Sequence, residues 1–265
     1  MKQKSLFLFS IFFISAFMGI FSFAQAQTLD PKKLEKRMAK IDSTLYADKF
    51  EITNYEYQEF LLWAKNTAPD IYKESKVDTA AWNMLKGMEL IRENYHSHEN
   101  FAQYPVVNIS FDAANYFCKW LTDVYNASPK KKFQKVTFRL PTELEWEKAA
   151  KGGQKDSIVY YAWKGIDVTD KHNNYLCNFQ DFTSVKGGES ADHYIITAPV
   201  NSYPPNGYGL YNMCGNAAEM INEEGITKGG SWDSKREYLR ISYSEYYTKV
   251  QPYIGFRVFM QVDVP

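Results

Sequence analysis

The sequence predicts a mixed domain of short helices and strands in which loops dominate, and three observations predict it. Helix starts are marked by capping residues at Thr53, Asp112 and Thr142, and short apolar runs at Ser43–Ile52 and Val136–Leu140 have the character of strands. Beyond Gly153 the chain turns to Gly, Asn, Pro, Ser and Tyr, and about a hundred residues show no capped helix, an uncommon length of irregular chain for a compact domain. Backbone ladders do not hold such a segment by themselves, and bound cations are one physical answer. The composition agrees: 265 residues, 45% hydrophobic and 23% charged, describe one folded domain or at most two small ones. An aromatic share of 17% suits loops pinned by large side chains with polar tips. Lys+Arg 31 against Asp+Glu 31 leaves no net field, which excludes nucleic-acid binding by whole-chain charge.

The elements follow in order. Lys2 and Lys4 precede an apolar run from Leu6 to Phe23, and Ala24-Gln25-Ala26 supplies the small residues a signal peptidase reads, so residues 1–26 are expected to be a cleaved signal peptide. Ser10, Ser15, Gly19 and Ser22 interrupt the run and no cationic stop-transfer cluster follows, which argues against a membrane anchor. The expected location is periplasmic or secreted, with no membrane span after cleavage. Residues 27–42 form an N-terminal segment in which Leu34, Met38 and Ile41 among Lys and Glu suggest a short amphipathic helix, and residues 43–265 form the main domain.

Thr53-x-x-Glu56 is a capping box, and Tyr57, Phe60, Leu61 and Ala64 recur at helical spacing behind it. Residues 66–104 have no sustained period, and His96-Ser97-His98 reads as a polar surface loop in preference to a pair of metal ligands. Asp112 is the expected N-cap of a helix presenting Ala113, Phe117, Trp120, Leu121 and Val124 on one face. Val136–Leu140 is a strand, and Thr142-x-x-Glu145 opens a helix that stops at Gly152-Gly153. Cys118, Cys177 and Cys214 are an odd number without CxxC spacing. Cys118 is expected to be a buried apolar residue, while Cys177 and Cys214 could pair.

Phe138-Arg139-Leu140-Pro141-Thr142-Glu143-Leu144-Glu145-Trp146-Glu147, Pro204-Pro205-Asn206-Gly207-Tyr208-Gly209-Leu210-Tyr211-Asn212, Gly215-Asn216-Ala217, Gly229-Gly230-Ser231-Trp232 and Gly255-Phe256-Arg257 occur in the order that resembles the formylglycine-generating enzyme, or sulfatase-modifying factor, family. The resemblance covers about Ser43 to Met260. It implies a compact α+β fold with little regular structure, distantly like C-type lectins. It also implies two calcium sites built from hard oxygens: Asn178, Phe179, Asp192 and Tyr194 in the first, and Asn212, Gly215, Ala217 and Glu219 in the second.

The catalytic part of the family pattern does not carry over. The positions of the two copper-binding cysteines hold Ser234 and Leu239, and a neutral hydroxyl with an aliphatic side chain cannot replace two thiolates for Cu(I). Copper is therefore not expected. Ala218 stands where the family commonly has Trp, and Ala150, Ser244 and Val258 stand at half-cystine positions. If the family's substrate groove is kept, it falls at Asn216, Ser231, Trp232, Ser234 and Arg236. Phe50–Tyr57 is also similar to a stretch in gliding-motility and type IX secretion lipoproteins of Bacteroidetes, although this chain lacks their lipid-attachment cysteine. The expected function is that of an exported, calcium-stabilised pseudoenzyme whose partner is an envelope protein or peptide segment. The alternative is a formylglycine-generating oxidase acting on a sulfatase cysteine. An iron-dependent sulfoxide synthase ranks last, because those enzymes take iron-binding histidines from a further domain.

Overall fold

A computed structural model describes residues 30–180 and 194–263. The expected signal peptide, residues 1–26, lies outside the described residues. Asp30 caps α1 (Pro31–Arg37) by accepting from the Lys32 N–H, and Pro31 enters at the first helical position, where its missing N–H costs nothing. The amphipathic segment expected here is thus a helix of two turns, and it runs directly into β1 (Met38–Lys40). β2 (Leu45–Asp48) follows, and Thr53 with Glu56 then forms the reciprocal capping box that opens α2 (Asn54–Thr67).

Residues 66–104 are not plain loop. They hold α3 (Pro69–Glu74), α4 (Glu89–Asn94) and 3-10 turns at Thr79–Met84 and Glu99–Phe101. His96 is buried, whereas His98 is exposed and caps the second of those turns. α5 (Phe111–Ala127) is capped by Ser110 and not Asp112. The Ser110 hydroxyl accepts from the Ala113 N–H, and Asp112 sits in the first turn, where a carboxylate also suits the helix dipole. After β3 (Val136–Arg139), Thr142 and Glu145 close a second capping box on α6 (Glu143–Ala150).

β8 (Phe259–Val262) lies between β2 and β3, so the first sheet runs β1-β2-β8-β3 with every pair antiparallel. Strand alternation then divides the interior. Val136, Phe138, Val258 and Met260 face the cluster built on Phe60, Phe117 and Trp120 of α2 and α5, while Leu45, Ala47 and Phe259 face Trp146 and Ala149 of α6. The outer edge of β3 is closed by α5: the Thr122 hydroxyl accepts from the Phe138 N–H at 2.9 Å, and the Asn126 amide bonds both backbone groups of Val136.

A second sheet runs in the order β6-β5-β4-β7 through β4 (Ala218–Met220), β5 (Ile226–Lys228), β6 (Ser244–Tyr246) and β7 (Ile254–Gly255), with β4 and β7 parallel. Helices on one sheet and a second sheet fed by irregular chain make this an α+β fold.

Candidate functional site

Three of the residues from Asn212 to Asn216, on the stretch leading into β4, adopt left-handed backbone conformations: Asn212 (φ 53°), Gly215 (φ 79°) and Asn216 (φ 66°). Asn tolerates this region better than other residues with side chains, and at Gly215 only glycine fits, since a Cβ there would collide with the Asn178 carbonyl. The tight path turns both asparagine side chains inward. The Asn212 amide donates to Glu51 Oε2 at 2.9 Å and to the Val200 carbonyl at 3.1 Å. The Asn216 amide donates to Glu51 Oε1 at 2.8 Å, and its oxygen accepts from the Ala198 N–H at 2.6 Å. Asn178 joins the same group, donating to the Ile196 carbonyl at 2.8 Å and to Asn216 Oδ1 at 3.3 Å.

Beside them Glu219, on β4, is held from two sides. Trp146 Nε1 on α6 donates to it at 2.7 Å, and Arg257 Nη2 donates at 2.7 Å, with Nε at 3.1 Å from the same oxygen. Arg257 is fully buried and spends its other donors on the Asp48 and Tyr211 carbonyls at 2.9 and 2.6 Å. Of the two buried carboxylates, Glu219 is paired with Arg257, and Glu51 is held by the two asparagine amides and feels the guanidinium through space. Burial pushes the Glu51 carboxyl up to about 8; Arg257 opposes the rise and Glu219 adds to it.

Two oxygens in this interior have no partner: Asn178 Oδ1 and Asn212 Oδ1. An orphaned buried amide oxygen costs about 1–3 kcal/mol unless something meets it. These are the side-chain oxygens that the resemblance assigns to the two calcium sites, one each, so the donor chemistry fits a hard cation. Among the described residues no three His, Cys, Asp or Glu side chains converge, so such a cation would rely on amide and carbonyl oxygens with a single carboxylate. In the second site that carboxylate is Glu219, already shared with Arg257 and Trp146, and Gly215 and Ala217 are the carbonyl positions. In the first site Phe179 and Tyr194 are described, and Asp192 lies outside the described residues.

The expected ligand groove takes a different form. Ser231 and Ser234 are buried and bond each other: Ser234 Oγ accepts from the Ser231 N–H at 2.9 Å, and the two hydroxyls lie 3.1 Å apart. Asn216 belongs to the interior network described above. Trp232 packs with Trp82, Tyr95 and Ile196, and its indole donates to the Pro252 carbonyl at 3.2 Å. Arg236 alone of the five is exposed at its side chain, reaching the Ile166 carbonyl. Leu239 is completely buried in the cluster with Trp146 and Ile241, where one of its methyl groups leaves no room for a Cβ at Gly230.

The three cysteines are buried thiols, and no disulfide joins Cys177 to Cys214. Burial raises the Cys118 thiol well above its ordinary value and pushes Cys214 up to about 12. Neither would supply a thiolate at neutral pH.

Sequence reasoning passed over Glu51 and the Glu219–Arg257 pair as partners in this site. The signal for Glu51 was an acidic residue next to Ile52, at the end of an otherwise apolar run. Lys228, also unremarked, is fully buried between Glu147 at 2.8 Å and Glu143 at 3.0 Å, directly before the Gly229-Gly230 turn.

An α+β domain with an irregular second half, tied by inward-facing asparagines and a buried Arg–Glu pair, defines the structural class. The model of the sulfatase-modifying factor enzyme 1-like domain matches residues 18–262, and the chain belongs to that family. It is 32% identical over 157 residues to a formylglycine-generating enzyme of Bos taurus, covering 51% of this chain and 37% of that protein. It is 31% identical over 139 residues to the inactive C-alpha-formylglycine-generating enzyme 2 of Bos taurus, covering 49% and 39%. The matched region thus spans less than two fifths of these curated relatives. Among solved structures, CarF superposes with a TM-score of 0.55 at 20% identity, covering 83% of this chain and 87% of that one. PvdO from Pseudomonas aeruginosa gives 0.52 at 17%, covering 82% and 80%. Both likenesses speak to the fold.

Proposed function

We propose that this chain is an exported, calcium-stabilised member of the family that has given up oxidase chemistry and acts as a binding or assembly component of the cell envelope. One observation carries the reading: the two positions that the resemblance assigns to copper-binding thiolates hold a serine hydroxyl tied into a turn and a leucine packed in the core. Soft-metal ligation needs ionised sulfur, and neither side chain can supply it. The relative named inactive gives precedent for a non-oxidising member, while those named formylglycine-generating enzymes favour the oxidase reading. Export is supported by the charged, apolar and small-residue regions of residues 1–26. Among the described residues no helix is long and apolar enough to cross a membrane. The similarity of Phe50–Tyr57 to gliding-motility and type IX secretion proteins makes an envelope protein or peptide the partner to seek.

The test is incubation with Cu(I) and a peptide carrying a Cys-x-Pro-x-Arg motif. No formylglycine above a protein-free control is expected; product formation would restore the oxidase reading.

Calcium is checked separately. Asn178, Asn212 and Glu219 would hold the ions through side-chain oxygens, and the ions would pin the long irregular segment to the sheets. A ligand present at a hundredfold its dissociation constant stabilises the folded state by about 2.7 kcal/mol. Chelation should therefore lower the melting temperature by several degrees, and Glu219→Ala should remove much of the chelator's effect. An unchanged melting curve counts against both sites.

A further inference from the structure

A cavity of about 380 Å³ lies between one face of α1 and the first turns of α2, and meets the asparagine network only through Val200. Lys33, Leu34 and Arg37 come from α1, at helical spacing, and Tyr55, Glu56 and Glu59 come from α2. The α1 wall is firmly seated: Leu34 is buried in the core, and Glu35 Oε1 accepts from the Tyr125 hydroxyl and the Lys132 N–H, each at 2.6 Å.

The charges of the cavity sort into those already used and those left over. Arg37 is spent on Asp48, at 2.9 Å from Nε and 2.8 Å from Nη2, and on Glu56. Glu56 in turn accepts from the Thr53 N–H and hydroxyl at 3.0 and 2.7 Å. That floor carries one guanidinium for two carboxylates. Around it stand Asp30 and Glu59 against Lys33 alone, so three carboxylates and two cations line the cavity, with the buried Asp48 behind Arg37. The walls are aromatic: Phe50 stacks on Tyr211 with centroids 5.0 Å apart, and the Tyr55 ring is 49% exposed.

We propose that this cavity binds an ammonium or guanidinium group carried on an apolar stem, as in the lysine or arginine side chain of a peptide. The excess carboxylate attracts the head group, the exposed Tyr55 ring offers a face to the cation and its methylenes beside a Phe50 ring already held by Tyr211 and Arg37, and the volume falls at the small end of the range for ligand pockets. Gln103 and Asn201 on the remaining wall can both donate to and accept from a peptide backbone. None of the residues assigned to calcium or to the oxidase positions lines this cavity, so its binding is tested without them.

Titration calorimetry on the purified protein tests it with three probes: acetyl-Ala-Arg-Ala-amide, its Glu counterpart, and cadaverine as a free amine. Saturable binding of the arginine peptide is expected, weakened by added salt. Tighter binding of the peptide than of cadaverine assigns a peptide ligand, and the reverse order assigns a free amine; either supports the chemistry. Glu59→Gln should weaken binding about tenfold, the cost of one charge-assisted contact, and Lys33→Gln should strengthen it. Both positions are at the surface, and Tyr55→Ala gives a third variant with the same expected loss as Glu59→Gln. Absence of saturable binding to either cation, binding of the Glu peptide as tight as that of the Arg peptide, or indifference to all three substitutions would overturn the proposal.

Discussion

Arg257→Ala should cost about 3–5 kcal/mol of folding stability, because it strands the Glu219 carboxylate in the interior without its counter-ion. The same change leaves the Asp48 and Tyr211 carbonyls without their donors. Against a typical total of about 5–15 kcal/mol, a loss of that size brings the protein close to unfolding at room temperature. Urea midpoints measure it. Adding Glu219→Gln to Arg257→Ala removes the uncompensated charge and should recover part of the loss; a double variant as unstable as the sum of the singles would contradict the pairing.

His96 should take stability from the fold as the pH falls, against an opposite contribution from Glu51, whose raised pKa favours the folded state in acid. The ring is buried, with Nδ1 3.2 Å from Asn54 Oδ1, and burial holds its pKa down at about 3. In the unfolded chain the same ring takes a proton near pH 6.5. Between those values the unfolded state binds the extra proton, so stability is full above pH 6.5 and falls as the pH descends toward 3. From pH 7 to pH 5 the loss from this residue amounts to about 2 kcal/mol, and over the whole window to about 3–5 kcal/mol. Comparison with His96→Gln isolates the effect: the substituted protein should lose that much less stability between pH 7 and 5, and parallel pH profiles would refute the assignment.

The legible parts of this fold are those specified by neighbours in the chain. Thr53 with Glu56 and Thr142 with Glu145 form their capping boxes as the spacing requires. The strand at Val136 and the apolar face of α5 likewise follow from local period. What escaped was short or distant. α3 and α4 have six residues each, under two turns, too few for an amphipathic period to show. His96 looked polar and therefore external, yet it lies against Trp82 and Tyr95 in the interior, beyond the reach of any local pattern.

The candidate site divides in the same way. Asn212, Gly215 and Asn216 stand close together and announce a special turn. Glu51 lies 161 and 165 positions from the two asparagines it accepts from, and nothing in the intervening chain points to that contact.

Because β8 sits between β2 and β3, the first sheet is closed only when segments far apart in the chain meet, Leu45 pairing with Gln261 and Phe138 with Met260. Until they meet, β2 and β3 have no shared neighbour and Glu219 lacks the guanidinium of Arg257. Closing so long a loop is slow, and removing β8 would unfasten β2 and β3 from their common partner at once.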